Sequence, residues 1–298
     1  MSIVSIFLVL LSASIHVGWN FLTKSSLNPK IFSFQKVTII MGFGTLAVPW
    51  FPVQDIRGYV WIYILLSGII HGLYIVSLSS AYEVGDISYV YPIARSAPAF
   101  VPLAAFLFLG ENISCQGGIG ILFVIVGMYV LLLRGDISNE FHRLWISMKK
   151  KDSVWAFITL FTVVAYTITD KAGMSAFSEV KTINPLMQGP LYLLLENVLC
   201  CLLFWAYMMF RSDGKLRSIL SHDWSKPAIA ALSTLVSYSL ILYVMLNEKV
   251  SYIVTMRQVS VLIAVFVGRF LLKERHGKMR LAASVIMFFG FYLVGTAK

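Results

Sequence analysis

Apolar residues fill this chain in long runs, separated by only a few polar residues at a time. A helix of about 20 predominantly apolar residues crosses the hydrocarbon core of a bilayer. Ten such spans can be drawn, over about 3–23, 31–51, 58–82, 87–110, 116–134, 154–174, 183–209, 227–246, 251–272 and 281–296. The longest connection, 135–153, is polar and divides the spans five and five. An odd number of helices per half turns the second half upside down relative to the first. The expected fold is therefore all-α integral membrane, with ten transmembrane helices as two inverted five-helix repeats. The repeats are residues 1–134 and 154–298, joined by the loop 135–153. Inverted repeats are a common transporter plan, with the solute site near the midplane between halves.

The fourth span breaks the apolar pattern most sharply. From Ala81 to Glu111 it reads AYEVGDISYVYPIARSAPAFVPLAAFLFLGE, with Arg95 near its middle and prolines at 92, 98 and 102. An Arg at the centre of a membrane helix costs about 2.5–3.5 kcal/mol on insertion scales, so it faces protein or water. Each proline removes an intrahelical hydrogen bond, and the freed carbonyl needs another partner. At helical spacing Ser88, Tyr91, Arg95, Pro98 and Pro102 share one face, the best candidate for a solute path. The competing reading makes Arg95 a structural neutraliser of a buried carboxylate.

One constant offset carries Ser88-Tyr89 onto Ser251-Tyr252, Glu111 onto Glu274, Gly127 onto Gly290 and Tyr129 onto Tyr292. Both copies run from Ser-Tyr through an apolar span with a central Arg (Arg95 or Arg257) to a Glu and a Gly-containing helix. This order of features reads as an internal duplication. The pattern AY-x-x-G-D-x-S-x-x-YP-x-A-R, followed by P-x-x-x-P and a closing GE, resembles the EamA-type half of the drug/metabolite transporter superfamily. HVGWN at His16–Asn20 is similar to that family's aromatic-rich opening. The resemblance implies ten helices, no cofactor, and export of a small solute driven by a proton gradient. The second copy departs from the pattern, with Lys273 before Glu274 and no prolines matching those at 92, 98 and 102.

Composition agrees with a membrane protein: 58% of the 298 residues are apolar and 13% charged. The net charge of +10 invites a nucleic-acid reading, but the Lys and Arg cluster in short loops between spans. No nucleic-acid partner is expected; the partners are a small-molecule substrate and the lipid bilayer. The odd-numbered loops hold most of the basic residues, which puts those loops in the cytoplasm and both termini outside. The family resemblance implies termini inside, and the charge pattern is the reading followed here. The N-terminus has no basic n-region or A-x-A site, so it reads as a first span and not a cleaved signal. Cys115, Cys200 and Cys201 lack metal spacing, and no zinc signature, nucleotide loop or nucleophile motif occurs. No metal and no catalysis are expected.

Polar residues within the other spans supply further candidates. His16 and Asn20 share a face of the first span with Ser12, either as interhelical hydrogen bonders or as solute contacts. His71 and Tyr74 lie on a stripe with Ser67, where a histidine serves as a proton relay or as a buried structural group. Lys36 is expected to snorkel to the interface. Asp170, beside Lys171, reads as an interfacial ion pair or a coupling group. Glu196 sits mid-span, where a carboxylate needs a proton or a cation; Arg95 and Arg257 are the deep cations on offer. Gln258 neighbours Arg257. Glycines at 117, 118, 120, 127, 290 and 295 permit close packing of the fifth and tenth spans, or a homodimer through them.

Together these features predict a multi-pass secondary transporter of the cell inner membrane, exporting a small anionic or amino-acid-like metabolite with an ion gradient. The alternatives are a facilitator or lipid-carrier translocase of the same fold, and an integral-membrane enzyme.

Overall fold

The computed structural model describes residues 1–84, 93, 96–132, 153–211, 223–263 and 278–297. Regular structure in them is helical throughout. The helices are α1 (Ile3–Lys24), α2 (Pro29–Ala47), α3 (Gly58–Val84), α4 (Ala97–Leu109), α5 (Cys115–Leu132), α6 (Val154–Phe177), α7 (Pro185–Arg211), α8 (Ser225–Met245), α9 (Val250–Met256) and α10 (Lys278–Thr296). Six of them, α1, α2 with the 3₁₀ turn that follows it, α3, α6, α7 and α8, are long and apolar enough to cross a membrane. Large apolar side chains such as Phe7, Leu103, Phe108, Phe210 and Val285 point outward. Water would penalise such a surface, whereas lipid accepts it, provided the backbone satisfies itself within helices. The chain is a multi-pass membrane protein.

Local chemistry sets the helix starts. Ser2 caps α1 by accepting the Ser5 N–H, and Asn28 caps α2 by accepting from Lys30 and Ile31, with Pro29 in the first turn. Outside the membrane, the Asp223 carboxylate accepts the backbone N–H and hydroxyl of Ser225 at the head of α8. Those hydrogen bonds hold it below the usual carboxylate range. Gly110 ends α4 at φ +65°, a left-handed conformation that favours glycine.

The fourth span, whose prolines predict an opened backbone, and the ninth, expected as an ordinary helix, are both interrupted among the described residues. Ser96 is non-helical and α4 starts at Ala97, with Pro98 in the first turn, where its missing N–H costs nothing. In the ninth span α9 stops at Met256, turns at Arg257 and Gln258, and becomes helical again to Ile263. The Gln258 N–H goes to the Thr255 carbonyl, three residues back. Its side-chain amide donates instead to the Val254 carbonyl at 3.2 Å. One side chain thus takes over the hydrogen bond that the break removes.

Packing follows a repeated scheme. The principal pairings are α5 with α10, α3 with α6, α1 with α8, α3 with α7, α2 with α7, α7 with α8, α2 with α8, α4 with α6 and α4 with α9, accompanied by the weaker α1 with α9 and α2 with α3. Exchanging each of the first five helices with its counterpart among the second five leaves this set unchanged. The α5–α10 contact is glycine-made: a Cβ on Gly120 would meet the Gly290 carbonyl at 2.9 Å. Glu111 ties the halves elsewhere, accepting the Val250 N–H at 2.8 Å and the Ser251 hydroxyl at 3.0 Å at the start of α9.

Candidate functional site

A cavity of roughly 90 Å³ lies where α1, α3, α4, α6 and α9 converge. Its walls carry His16 and Asn20 from α1, Tyr74 from α3, Thr159, Tyr166 and Thr167 from α6, and Arg257, Gln258 and Ser260 from the break after α9. Among the described residues its lining holds one fixed charge, the Arg257 guanidinium, and neither Asp nor Glu. Arg257 Nη2 stands 3.5 Å from His16 Nδ1, and its guanidinium carbon lies 5.8 Å from the Tyr238 ring centre. That ring face suits a cation without neutralising it. The Asn20 amide donates to the His16 carbonyl at 2.9 Å. Two buried polar atoms of this wall, Gln258 Oε1 and Ser260 Oγ, have no hydrogen-bond partner among the described residues. Such groups carry a desolvation cost that a polar solute can relieve.

Five of the candidates read from sequence therefore meet in one wall: His16, Asn20, Tyr74, Arg257 and Gln258. Ser88, Tyr91 and Arg95 lie outside the described residues. Thr159, Tyr166 and Thr167 were missed, although with Val163 they recur at steps of three and four, the spacing of one helix face.

His71 is elsewhere, one layer behind the cavity. Its ring stacks on Tyr166 at 4.2 Å between centroids and meets Tyr238 edge-on at 5.6 Å. Beside it the Ser67 hydroxyl touches both Asp170 Oδ1 and Glu196 Oε2, the latter at 2.6 Å. The Tyr238 hydroxyl donates to Asp170 Oδ2. Glycine makes this approach possible: a Cβ on Gly68 would sit 2.6 Å from the Glu196 carbonyl oxygen. Asp170 is 0% and Glu196 1% exposed.

Three expectations need correction. Asp170 is not an interfacial ion pair with Lys171, because adjacent residues on a helix point in different directions. Lys171 Nζ instead donates to the Met245 and Glu248 carbonyls, at 2.5 and 3.0 Å. Glu196 does not pair with Arg257, which faces the cavity; its partners are Ser67 and, at 3.9 Å, His71. Lys36 does not snorkel outward. It is buried, with Nζ 3.9 Å from the centre of a Trp19 ring.

Residues 3–133 match the EamA-like transporter family. A curated relative from Sinorhizobium sp, described as an uncharacterized transporter in the cobO 3' region, is 28% identical over 82 residues. That match covers 28% of this chain, and the chain spans 58% of the relative's length. A solved crystal structure superposes with a TM-score of 0.65 at 13% identity, covering 97% of this chain and 96% of that one. At that identity the likeness speaks for the fold alone.

Proposed function

We propose that this membrane protein is an EamA-like secondary transporter of the inner membrane, moving a small anionic or amino-acid-like metabolite through the cavity between its halves. The observation that carries this reading is the broken ninth span. It presents a guanidinium, an unpartnered amide oxygen and an unpartnered hydroxyl to a cavity whose described lining has no carboxylate. Discontinuous helices bind solutes in this way in many transporters, because the break frees backbone and side-chain groups at membrane depth. A guanidinium there offers a planar fork to a carboxylate or phosphate.

In this reading Arg257 and Gln258 hold the anionic group, while His16, Asn20 and Tyr74 contact the rest of the solute. Arg95, with Tyr91 and Ser88, contributes the matching group from the fourth span. The cavity is smaller than the few hundred Å³ of typical ligand pockets, so the helices part to admit a metabolite. The two halves, 1–134 and 154–298 around the linker 135–153, act as inverted repeats, which the exchangeable helix pairings support. Movement is export coupled to an ion gradient, with Asp170 and Glu196 holding the coupling ion. A homodimer would have to use the outer faces of α5 and α10, since Gly120 and Gly290 face each other within the chain.

Deleting and overexpressing the gene, and profiling metabolites inside and outside the cells, tests the proposal. One unaltered anionic or amino-acid-like solute should accumulate inside on deletion and outside on overexpression. A solute that changes chemically would point to an enzyme.

A further inference from the structure

In the group behind the cavity Ser67 Oγ hydrogen-bonds both carboxylates and lies 3.1 Å from His71 Nδ1, so one hydroxyl gathers three side chains of metal-ligating type. His71, Asp170 and Glu196 each bring a ligand atom to within 4.8 Å of the other two, from α3, α6 and α7. His71 Nδ1 and Glu196 Oε1 stand 3.9 Å apart, too far for a hydrogen bond. That separation fits two ligands on one ion, since a pair at about 2.0–2.2 Å each spans up to about 4.4 Å, and a group spread over 4.8 Å closes onto an ion by a few tenths of an ångström. A second observation points the same way. Tyr192 is fully buried, and its hydroxyl has no hydrogen-bond partner. That hydroxyl rests against Gly173, within one turn of Asp170, with the Asp170 and Glu196 carboxyls as its neighbours. No Lys or Arg among the described residues pairs with either carboxylate. Two carboxyl groups enclosed at membrane depth call for a proton or a compensating cation, and a bound metal ion supplies the latter.

We propose that His71, Asp170 and Glu196 bind one divalent transition-metal ion of the Zn²⁺ or Mn²⁺ class, with the Tyr192 hydroxyl turned toward it. One imidazole with two carboxylates matches that class; it lacks the six to eight oxygens of a Ca²⁺ site and the thiolates of a soft-metal site. Around it, Tyr238 orients Asp170, Ser67 bridges the carboxylates, and Tyr166 fixes the imidazole plane. The ligands come from both five-helix halves, so the ion ties α3 to α6 and α7. This names the ion at the carboxyl pair and rests on the transport reading for its role alone, because binding is measured without transport.

Purified untagged full-length chain, stripped with chelator, is titrated with Co²⁺ and then with Zn²⁺. One Co²⁺ per chain should give ligand-field absorption that Zn²⁺ abolishes. Affinity should fall by at least about tenfold in Glu196→Gln and in His71→Asn. Wild-type chain that shows no stoichiometric Co²⁺ band overturns the proposal without any variant. So does wild-type affinity in whichever of the two variants remains folded, since the ion would then lie elsewhere. Chain that binds Co²⁺ yet moves no metabolite sinks the transport reading and leaves this site standing. Solute movement by chain that binds no Co²⁺ does the reverse.

Discussion

Arg257 is half-buried against the cavity. It meets an imidazole at 3.5 Å and an aromatic face, and neither neutralises it. Arg257→Lys keeps the charge and loses the planar fork, so it separates anion recognition from simple charge balance. Transport of an anionic solute should fall at least about tenfold, while the melting temperature in detergent moves little. A collapse in stability at full specific activity would instead make Arg257 part of the scaffold. Glu111 illustrates the opposite case. The closing Glu of the family-like motif caps α9 across the halves through Val250 and Ser251. Glu111→Ala should therefore destabilise by about 1–2 kcal/mol, as loss of a helix cap does, and Glu111→Gln by less because one acceptor remains. Denaturation of the two variants in detergent checks the order. Partner choice at this scale was poorly legible in the sequence. Stripes of polar residues showed His16, Asn20, Arg257 and Gln258 to be unusual, but not that Glu196 would meet Ser67 and His71 across helices.

The apolar runs located all ten α-helices of the described residues, because a bilayer leaves a spanning backbone few other ways to satisfy itself. The interruption at Arg257 was hidden for a definite reason. No Pro or Gly lies between Val250 and Ile263, and the break is stabilised by the amide of Gln258, which usually reads as an ordinary polar contact. Gln258→Leu should weaken transport and local stability together, since it removes both the bond to Val254 and the unpartnered oxygen in the cavity wall. Faster hydrogen exchange confined to the ninth span would report the local effect; unchanged exchange would show that the break needs no side-chain support. The fifth and tenth helices were more legible, since glycines in apolar spans mark close approach. Gly120→Leu places a side chain where a Cβ alone would stand 2.9 Å from Leu293 Cβ and the Gly290 carbonyl. It should cost about 1–3 kcal/mol or more through forced separation of α5 and α10. An unchanged thermal midpoint would contradict that packing.

The helix pairings survive exchange of the two halves, yet the most polar elements of the halves have different duties. The second half supplies Arg257, Gln258, Asp170 and Glu196, while the first supplies His16, Asn20 and Tyr74 to the cavity and His71 to the carboxyl pair. The basic loops orient the assembly: a cytoplasmic reporter should work in the 135–153 loop and fail at the C-terminus. The reverse pattern would turn the molecule over without altering its fold. The central claim is that the cavity carries a solute, and release from sealed vesicles tests it most directly. Vesicles with and without purified chain are loaded with a mixture of carboxylates, phosphates and amino acids, and the outside solution is followed by mass spectrometry. The account predicts chain-dependent release of one chemically unchanged anionic or amino-acid-like solute, at least about tenfold slower with Arg257→Lys. Equal retention of every solute with and without the chain would contradict it.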